Sequence, residues 1–264
     1  GGTGMTTYSC TAWNPECISP SRTLNAFPFP EALKARATKK MIALQTERGV
    51  TDPDAWIAKP AGSQGYPRVV TTRANRRCLQ FVDGAGRNPT YLKTEIFRKP
   101  LAQPITLFCV GIAFDDATYL SGIDSRFELF HGYSTMQSPM EDDERAKVSI
   151  TAHPVVDSSD SDDPGGHCVV TGTSRPGDWH VYTAVFNGKD SRLYVDGALE
   201  GMGDSGDGML DGLTLGTDHR NDFPLGSIID GTHPGVIAEL AVFGSVLPPS
   251  DRLWIERDLM TRHG

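Results

Sequence analysis

The stretch FNGKDSRLYVDGALEGMGDSGDGMLDGLTLG, Phe186 to Gly216, constrains the fold more than any other part of the chain. Arg192-Leu193-Tyr194-Val195 alternates polar and apolar residues, as a half-buried strand does. Asp196-Gly197 supplies the two φ > 0 residues of a type I′ turn, the strongest short-range hairpin signal. Asn187-Gly188 turns the preceding strand into this one. A tract of Gly and Asp then separates the hairpin from LTLG and reads as a loop over the rim of a sheet. Consecutive tight hairpins mean antiparallel pairing, which points to an all-β fold.

The rest of the chain agrees. Residues 1–30 carry Pro15, Pro20, Pro28 and Pro30 with little periodicity and read as an irregular arm. In PEALKARATKKMIALQTERG, Leu33, Ala37, Met41 and Leu44 fall at helical spacing with Gly49 as a stop, so a helix is expected over 31–49. Strands dominate from there: PRVVTT, RCLQF, ITLFCVGIAF, RFELFHGY, KVSITAH, HVYTAVF, RLYV, LTLG and VIAELAVFG. ITLFCVGIAF is apolar on both faces and is expected to be a central strand covered on both sides. The facing of HVYTAVF is left open, because Trp179, Tyr182, Ala184 and Phe186 do not alternate strictly with one another. Leu193 and Val195 should face inward and Tyr194 outward. Pro248-Pro249 stop the last strand, Ser250 is a candidate cap, and Leu253 to Met260 form a short helix. The acidic segments MEDDERAK and VVDSSDSDDPGG read as solvated loops. Many strands without intervening helices imply antiparallel sheets packed as a sandwich. No linker divides the strand-rich part, so 31–264 is read as one domain.

Composition narrows the partners. The formal net charge is −8, with an isoelectric point near 5.3 and no basic run. Nucleic acid and anionic membrane surfaces both require clustered Lys/Arg, so neither is expected as a partner. No apolar run approaches a membrane span, so no membrane insertion is expected, and no signal-peptide core is visible near the start. GGTG before Met5 reads as a cloning remnant. With Met5 as natural start the protein would be intracellular; as an excised domain it could be extracellular. Five cysteines lack zinc spacing. Cys78 and Cys109 lie in apolar strands and read as buried thiols, whereas Cys10 and Cys17 could pair in an oxidising compartment.

The segment WHVYTAVFNGKDSRLYVDGALEGMG resembles the central block of laminin-G-like, concanavalin A-like jelly rolls: Trp-His, a hairpin, a strand ending in Tyr-Val-Asp-Gly, and a loop. PGVIAELAVFGSVLPPSDRLWIERDLMTRHG resembles the close of the same superfamily, with an acidic residue, Glu239, in the apolar strand and a short terminal helix. CLQFVDG and LAQPITLFCVGIAF resemble two further strands. The resemblance covers about residues 67–264 and implies a two-sheet antiparallel jelly-roll sandwich, preceded here by an N-terminal arm and helix.

Catalytic signals are sparse. Retaining glycosidases of this superfamily need two carboxylates about 5–5.5 Å apart, projecting from one strand face. Asp124 and Glu128 in DSRFEL are the catalytic candidates, flanking Arg126, with which an ordinary ion pair accounts for them. EDDER lacks the third acid of the glucanase motif, and alginate-lyase motifs, a Gly-x-Ser-x-Gly elbow and a phosphate loop are all missing from the sequence. The resemblance also implies a rim that can hold calcium on loop carboxylates. Asp218 and Asp222 are the metal candidates, against the alternative of a solvated acidic loop. In the same loop His219, Arg220, Asn221 and Phe223, with His233 close by in DGTHPG, offer oriented hydrogen bonds and an apolar face for a ligand. The reading is of a non-enzymatic recognition domain, lectin-like and binding a glycan, or binding a protein. The alternatives are a carbohydrate-active enzyme, hydrolase or lyase, and a structural or assembly module built on the N-terminal arm. Each rests on fold analogy.

Overall fold

The computed structural model describes residues 10–13, 56–60, 68–71, 77–81, 90–94, 100–114, 117–122, 126–131, 147–153, 168–216 and 235–263. In chain order the strands are β1 (Cys10–Trp13), β2 (Trp56–Pro60), β3 (Arg68–Thr71), β4 (Arg77–Phe81), β5 (Thr90–Thr94), β6 (Ile105–Ala113), β7 (Ala117–Ser121) and β8 (Arg126–His131). They continue as β9 (Val148–His153), β10 (Val170–Thr171), β11 (His180–Phe186), β12 (Ser191–Val195), β13 (Ala198–Gly203), β14 (Thr214–Leu215) and β15 (Gly235–Phe243). A 3₁₀ turn, Gly188–Asp190, joins β11 to β12, and one helix, α1 (Pro249–His263), ends the chain. The helix expected over 31–49 lies outside the described residues, and so do Cys17 and the two acidic segments.

The strands form two antiparallel sheets. The first runs β13-β12-β11-β6-β15-β4-β3, with β1 also paired to β15; the second runs β10-β9-β8-β7-β14-β5-β2. Within the stretch read as an irregular arm, Cys10–Trp13 therefore forms a strand, in register with Leu240–Phe243. Between the sheets lies one apolar core. Leu107, Cys109, Tyr182, Ala184, Phe186, Leu193 and Leu240 come from the first sheet, and Tyr119, Phe127, Leu129, Ile150 and Leu215 from the second. The rings of Phe186 and Phe127 meet across the gap at 3.9 Å between centroids. Burying each such side chain contributes roughly 1.5–3 kcal/mol.

β6 is central and buried on both faces, as its sequence requires. The open question of facing in β11 is settled by strict alternation: Tyr182, Ala184 and Phe186 enter the core, while Val181 and Trp179 join the cluster on the outer face. That cluster, with Phe108, Val110, Ala238 and Phe243, is covered by Ile255 and Leu259 of α1. The helix starts at Pro249, so Ser250 stands inside its first turn rather than capping it. Pro suits that first position because its missing N–H would have no intrahelical partner there.

Two buried carboxylates tie α1 to the sheet. Glu256 accepts from Thr183 Oγ1 (2.9 Å) and Arg252 Nη1 (2.8 Å), and the Arg252 guanidinium lies 3.8 Å above the Tyr194 ring. A bulge between Ile237 and Glu239 turns the Glu239 carboxylate to the helix side. There it receives both Nη atoms of Arg262, at 2.7 and 2.8 Å, and a bond from His263.

The hairpin reading holds in detail. Asp196 and Gly197 have φ of 49° and 82°, as a type I′ turn demands. Leu193 and Val195 point into the core, and Tyr194 lies on the other face. The Gly/Asp tract then crosses from edge strand β13 of the first sheet to β14 in the middle of the second. Cys78 and Cys109 are buried and in no disulfide; burial pushes the Cys109 thiol far up, so it acts as a small hydrophobe.

Candidate functional site

Strand register gathers several chain segments at one rim of the sandwich. Gly235, the first residue of β15, stands opposite Ala113 on one side and Phe81 on the other. His180, the first residue of β11, stands opposite Gly111. Gly177 N donates to Ala113 O (2.8 Å), and Gly216 N donates to Tyr119 O (3.0 Å). Gly216 has φ of 88°, and a Cβ there would lie 2.3 Å from Cδ1 of Phe81, so the chain leaves β14 through a position that only glycine fits. Residues 173–179, the Asp196-Gly197 turn, Phe114, Gly216 and Gly235 thus share this rim.

The charged centre of the rim is an imidazole–carboxylate pair. His180 Nδ1 donates to Asp196 Oδ2 (2.7 Å), and Val181 N donates to Asp196 Oδ1 (2.8 Å). The hydrogen bond to Asp196 lifts the His180 pKa above its ordinary value against the opposing pull of burial; Asp178 and Glu200 add negative charge in the same sense. Burial would raise the Asp196 carboxyl, but the bonds from His180 and Val181 outweigh it and hold it below the usual range. Glu200 is likewise lowered, its burial outweighed by Ser174 Oγ (2.7 Å) and the N–H groups of Thr173 (2.8 Å) and Ser174 (2.9 Å). That carboxylate pins the 173–179 loop to β13.

Two aromatic side chains stand at the same rim. Phe114 is 57% exposed, and Trp179 is half-buried against the outer-face cluster. Beneath His180 a polar column descends into the core. Tyr182 OH meets His131 Nε2 at 3.0 Å and Tyr119 OH at 3.1 Å, all three side chains fully buried. Burial raises both phenols, so they remain neutral hydrogen-bonding groups that key one sheet to the other. The arrangement presents an oriented imidazole, carboxylates and an aromatic edge, which suits recognition of a hydroxyl-rich or polar ligand.

The sequence-predicted residues fall into two groups. Asp218, His219, Arg220, Asn221, Asp222, Phe223 and His233 lie outside the described residues; Gly216 and Gly235 on either side of them stand at this rim. Asp124 is also outside the described residues. Glu128 is wholly buried, on the face of the second sheet that turns away from the core. Register places it in a row across four strands, Thr214–Ser121–Glu128–Thr151, in which the other three side chains are hydroxyls. Thr151 Oγ1 donates to Cys168 O (2.8 Å) and Ser121 Oγ to Gly122 O (3.0 Å). Among the described residues no group of three or more His, Cys, Asp or Glu is placed to hold a metal.

Sequence reasoning missed Phe114 and the His180–Asp196 pair. Trp-His and Asp-Gly were both visible as turn and strand markers. Carrying the hairpin register one step past Tyr182–Val195 sets Val181 opposite Asp196, beside His180. That register was the available signal.

Two antiparallel sheets face to face, with the chain crossing between them, define a jelly-roll-like β sandwich. No protein-family model matches the sequence, and no curated protein is similar to it. Among solved structures it is similar to domain 4 of AbnA, a GH43 extracellular arabinanase from Geobacillus stearothermophilus, in complex with arabinotriose. That match has 12% identity and a TM-score of 0.48, over 76% of this chain and 86% of the other. The receptor binding domain of botulinum neurotoxin D is another (14%, TM-score 0.45, 78% of this chain). A third structure, of botulinum neurotoxin type C and its interaction with two ganglioside molecules, matches with 10% identity and a TM-score of 0.47 over 77% of this chain. The chain spans about half the length of these toxin chains, 48% and 46%.

Proposed function

We propose that this chain is a non-catalytic recognition domain of the laminin-G-like, concanavalin A-like kind that takes a glycan at the rim around His180. The observation that carries the reading is the meeting, at one rim, of exposed Phe114, the His180–Asp196 pair and the chain ends flanking 217–234. A saccharide needs oriented donors and acceptors beside an apolar edge, and this rim supplies both. Asp218 and Asp222 would add a calcium ion with hard oxygen ligands, and His219, Arg220, Asn221, Phe223 and His233 further ligand contacts.

A thermal melt in EDTA and then in calcium, followed by a glycan array, tests the reading. A ligand that binds only the folded state must raise the melting midpoint. The expected result is a calcium-dependent rise abolished by Asp218→Ala or Asp222→Ala, with array signals that Phe114→Ala removes. A silent array in both conditions would overturn the glycan reading. A protein ligand, or a module working through its N-terminal arm, would then be the better account.

A further inference from the structure

At the opposite end of the sandwich from the rim, the turn between β11 and β12 places an asparagine directly before a glycine. Asn-Gly is the sequence at which a backbone amide most readily attacks a side chain, because glycine has no Cβ to block the approach. The amide nitrogen of Gly188 would bond to Cγ of Asn187 and lose its proton to solvent. The Cγ–Nδ2 bond would break, ammonia would leave, and a succinimide would remain. Water then opens the ring at either carbonyl, giving aspartate or isoaspartate at position 187.

Here that nitrogen is occupied. Gly188 N donates to Gln103 Oε1 at 2.7 Å, from a side chain 85 residues away in sequence. Gln103 is itself held from its other end, where Nε2 donates to Gly206 O (3.0 Å) and Gly208 O (2.9 Å) of the Gly/Asp tract. The peptide is fixed on its remaining sides as well. Asn187 N donates to Ser191 Oγ (2.9 Å), and Gly188 O receives Ser191 Oγ (2.7 Å) and Ser205 N (3.2 Å). Asn187 sits at φ −147°, ψ 46° with no capping bond from its carboxamide, and Gly188 at φ 56°. Attack needs Gly188 N freed from its acceptor and turned toward Cγ, and every one of these bonds resists that rotation.

We propose that Asn187-Gly188 is a latent deamidation site and that Gln103 is the positioning residue that keeps it closed. The Gly/Asp tract acquires a role in this arrangement: its carbonyls aim the Gln103 amide so that Oε1 meets Gly188 N. Opening the turn would expose the site and add a negative charge beside Asp190, on an end that already carries Asp204 and Asp207.

Incubation of the full chain at mildly alkaline pH, with peptide mapping of position 187 over time, tests this. Native protein should deamidate far more slowly than a synthetic peptide spanning 183–193, and the Gly188 amide should be protected from hydrogen exchange. Gln103→Leu should raise the folded protein's rate by about ten-fold, as expected when an ordinary buried hydrogen bond no longer holds the closed state. Gln103→Glu loses the Nε2 donor and sets a carboxylate oxygen against the Gly206 and Gly208 carbonyls, so it too should deamidate faster than native. A native rate equal to the peptide's would overturn the proposal even if the variants failed to fold. So would a folded Gln103→Leu or Gln103→Glu that deamidates no faster than native.

Discussion

The two ends of the sandwich are held by different chemistry. At the rim the contacts are ionic and partly exposed: the His180 and Asp196 side chains retain 18% and 44% of their exposure. At the base the contacts of Gln103 are between neutral groups and more enclosed: it bonds three backbone groups, and the Ser191 and Ser205 hydroxyls meet beside it at 2.7 Å. Bonds between neutral groups depend on geometry alone, so the Gln103 contacts should respond to pH less than the rim pair does, even with Asp204 accepting from Gly206 N (2.9 Å) beside them. An ion pair in partial contact with water contributes little to stability but responds to pH and salt. The difference assigns the base to holding the fold, while the rim is where the proposed function places a ligand.

The largest expected effect tests whether the rim also has a rigid part. Gly216→Val combines a φ of 88° with a Cβ that would overlap Phe81. It should cost about 3 kcal/mol or more in urea denaturation, through backbone strain and overpacking together. A loss below 1 kcal/mol would mean that this corner gives way easily.

Gln103→Leu comes next. Removing an amide that serves three backbone groups should cost about 2 kcal/mol, since the orphaned partners lose more than one ordinary bond is worth. The loss should vary with pH less than the contribution of the rim pair does. A strong pH dependence would break the contrast between the two ends.

The rim pair should behave in the opposite way. The raised pKa of His180 means its contribution is fully present below the unfolded value near 6.5 and is lost as pH rises through the folded value. The lowered pKa of Asp196 means its contribution is present above the unfolded value near 3.8 and is lost as pH falls through the folded value. The coupling should therefore be greatest between those two unfolded values. A double-mutant cycle with His180→Gln and Asp196→Asn should give up to about 1 kcal/mol there and less at alkaline pH, the scale of exposed pairs. Equal coupling at both pH values would remove the ionic reading.

Phe114→Ala should have the smallest effect on the fold, within about 0.5 kcal/mol, because the ring is mostly in water already. If the rim is the binding surface, ligand retention should nevertheless fall. Unchanged retention together with unchanged stability would move the search away from Phe114.

Much of this architecture was legible in the order of residues. Asp196-Gly197 required positive φ at both positions, and only a hairpin uses that pair between alternating strands. β6 could be read as central because nine residues without a charged side chain cannot leave one face in water. The helix was expected only over Leu253 to Met260, with Ser250 as its cap, whereas it starts at Pro249, because a cap and the second residue of a Pro-started helix look alike in sequence. The facing of β11 stayed open because Trp179 was weighed with Tyr182, although it lies on the opposite face.

What sequence alone determined here is what short-range sterics and hydrophobic periodicity govern: the strands, the tight turns, the antiparallel class and the terminal helix. The meeting of Gly188 with Gln103, and of Glu239 with Arg262 and His263, was decided only by the tertiary structure. Those pairs lie between 23 and 85 residues apart. Their encounter depends on one bulge and on the path of a loop, which no local pattern encodes because packing the helix and the loop against the sheet fixes them.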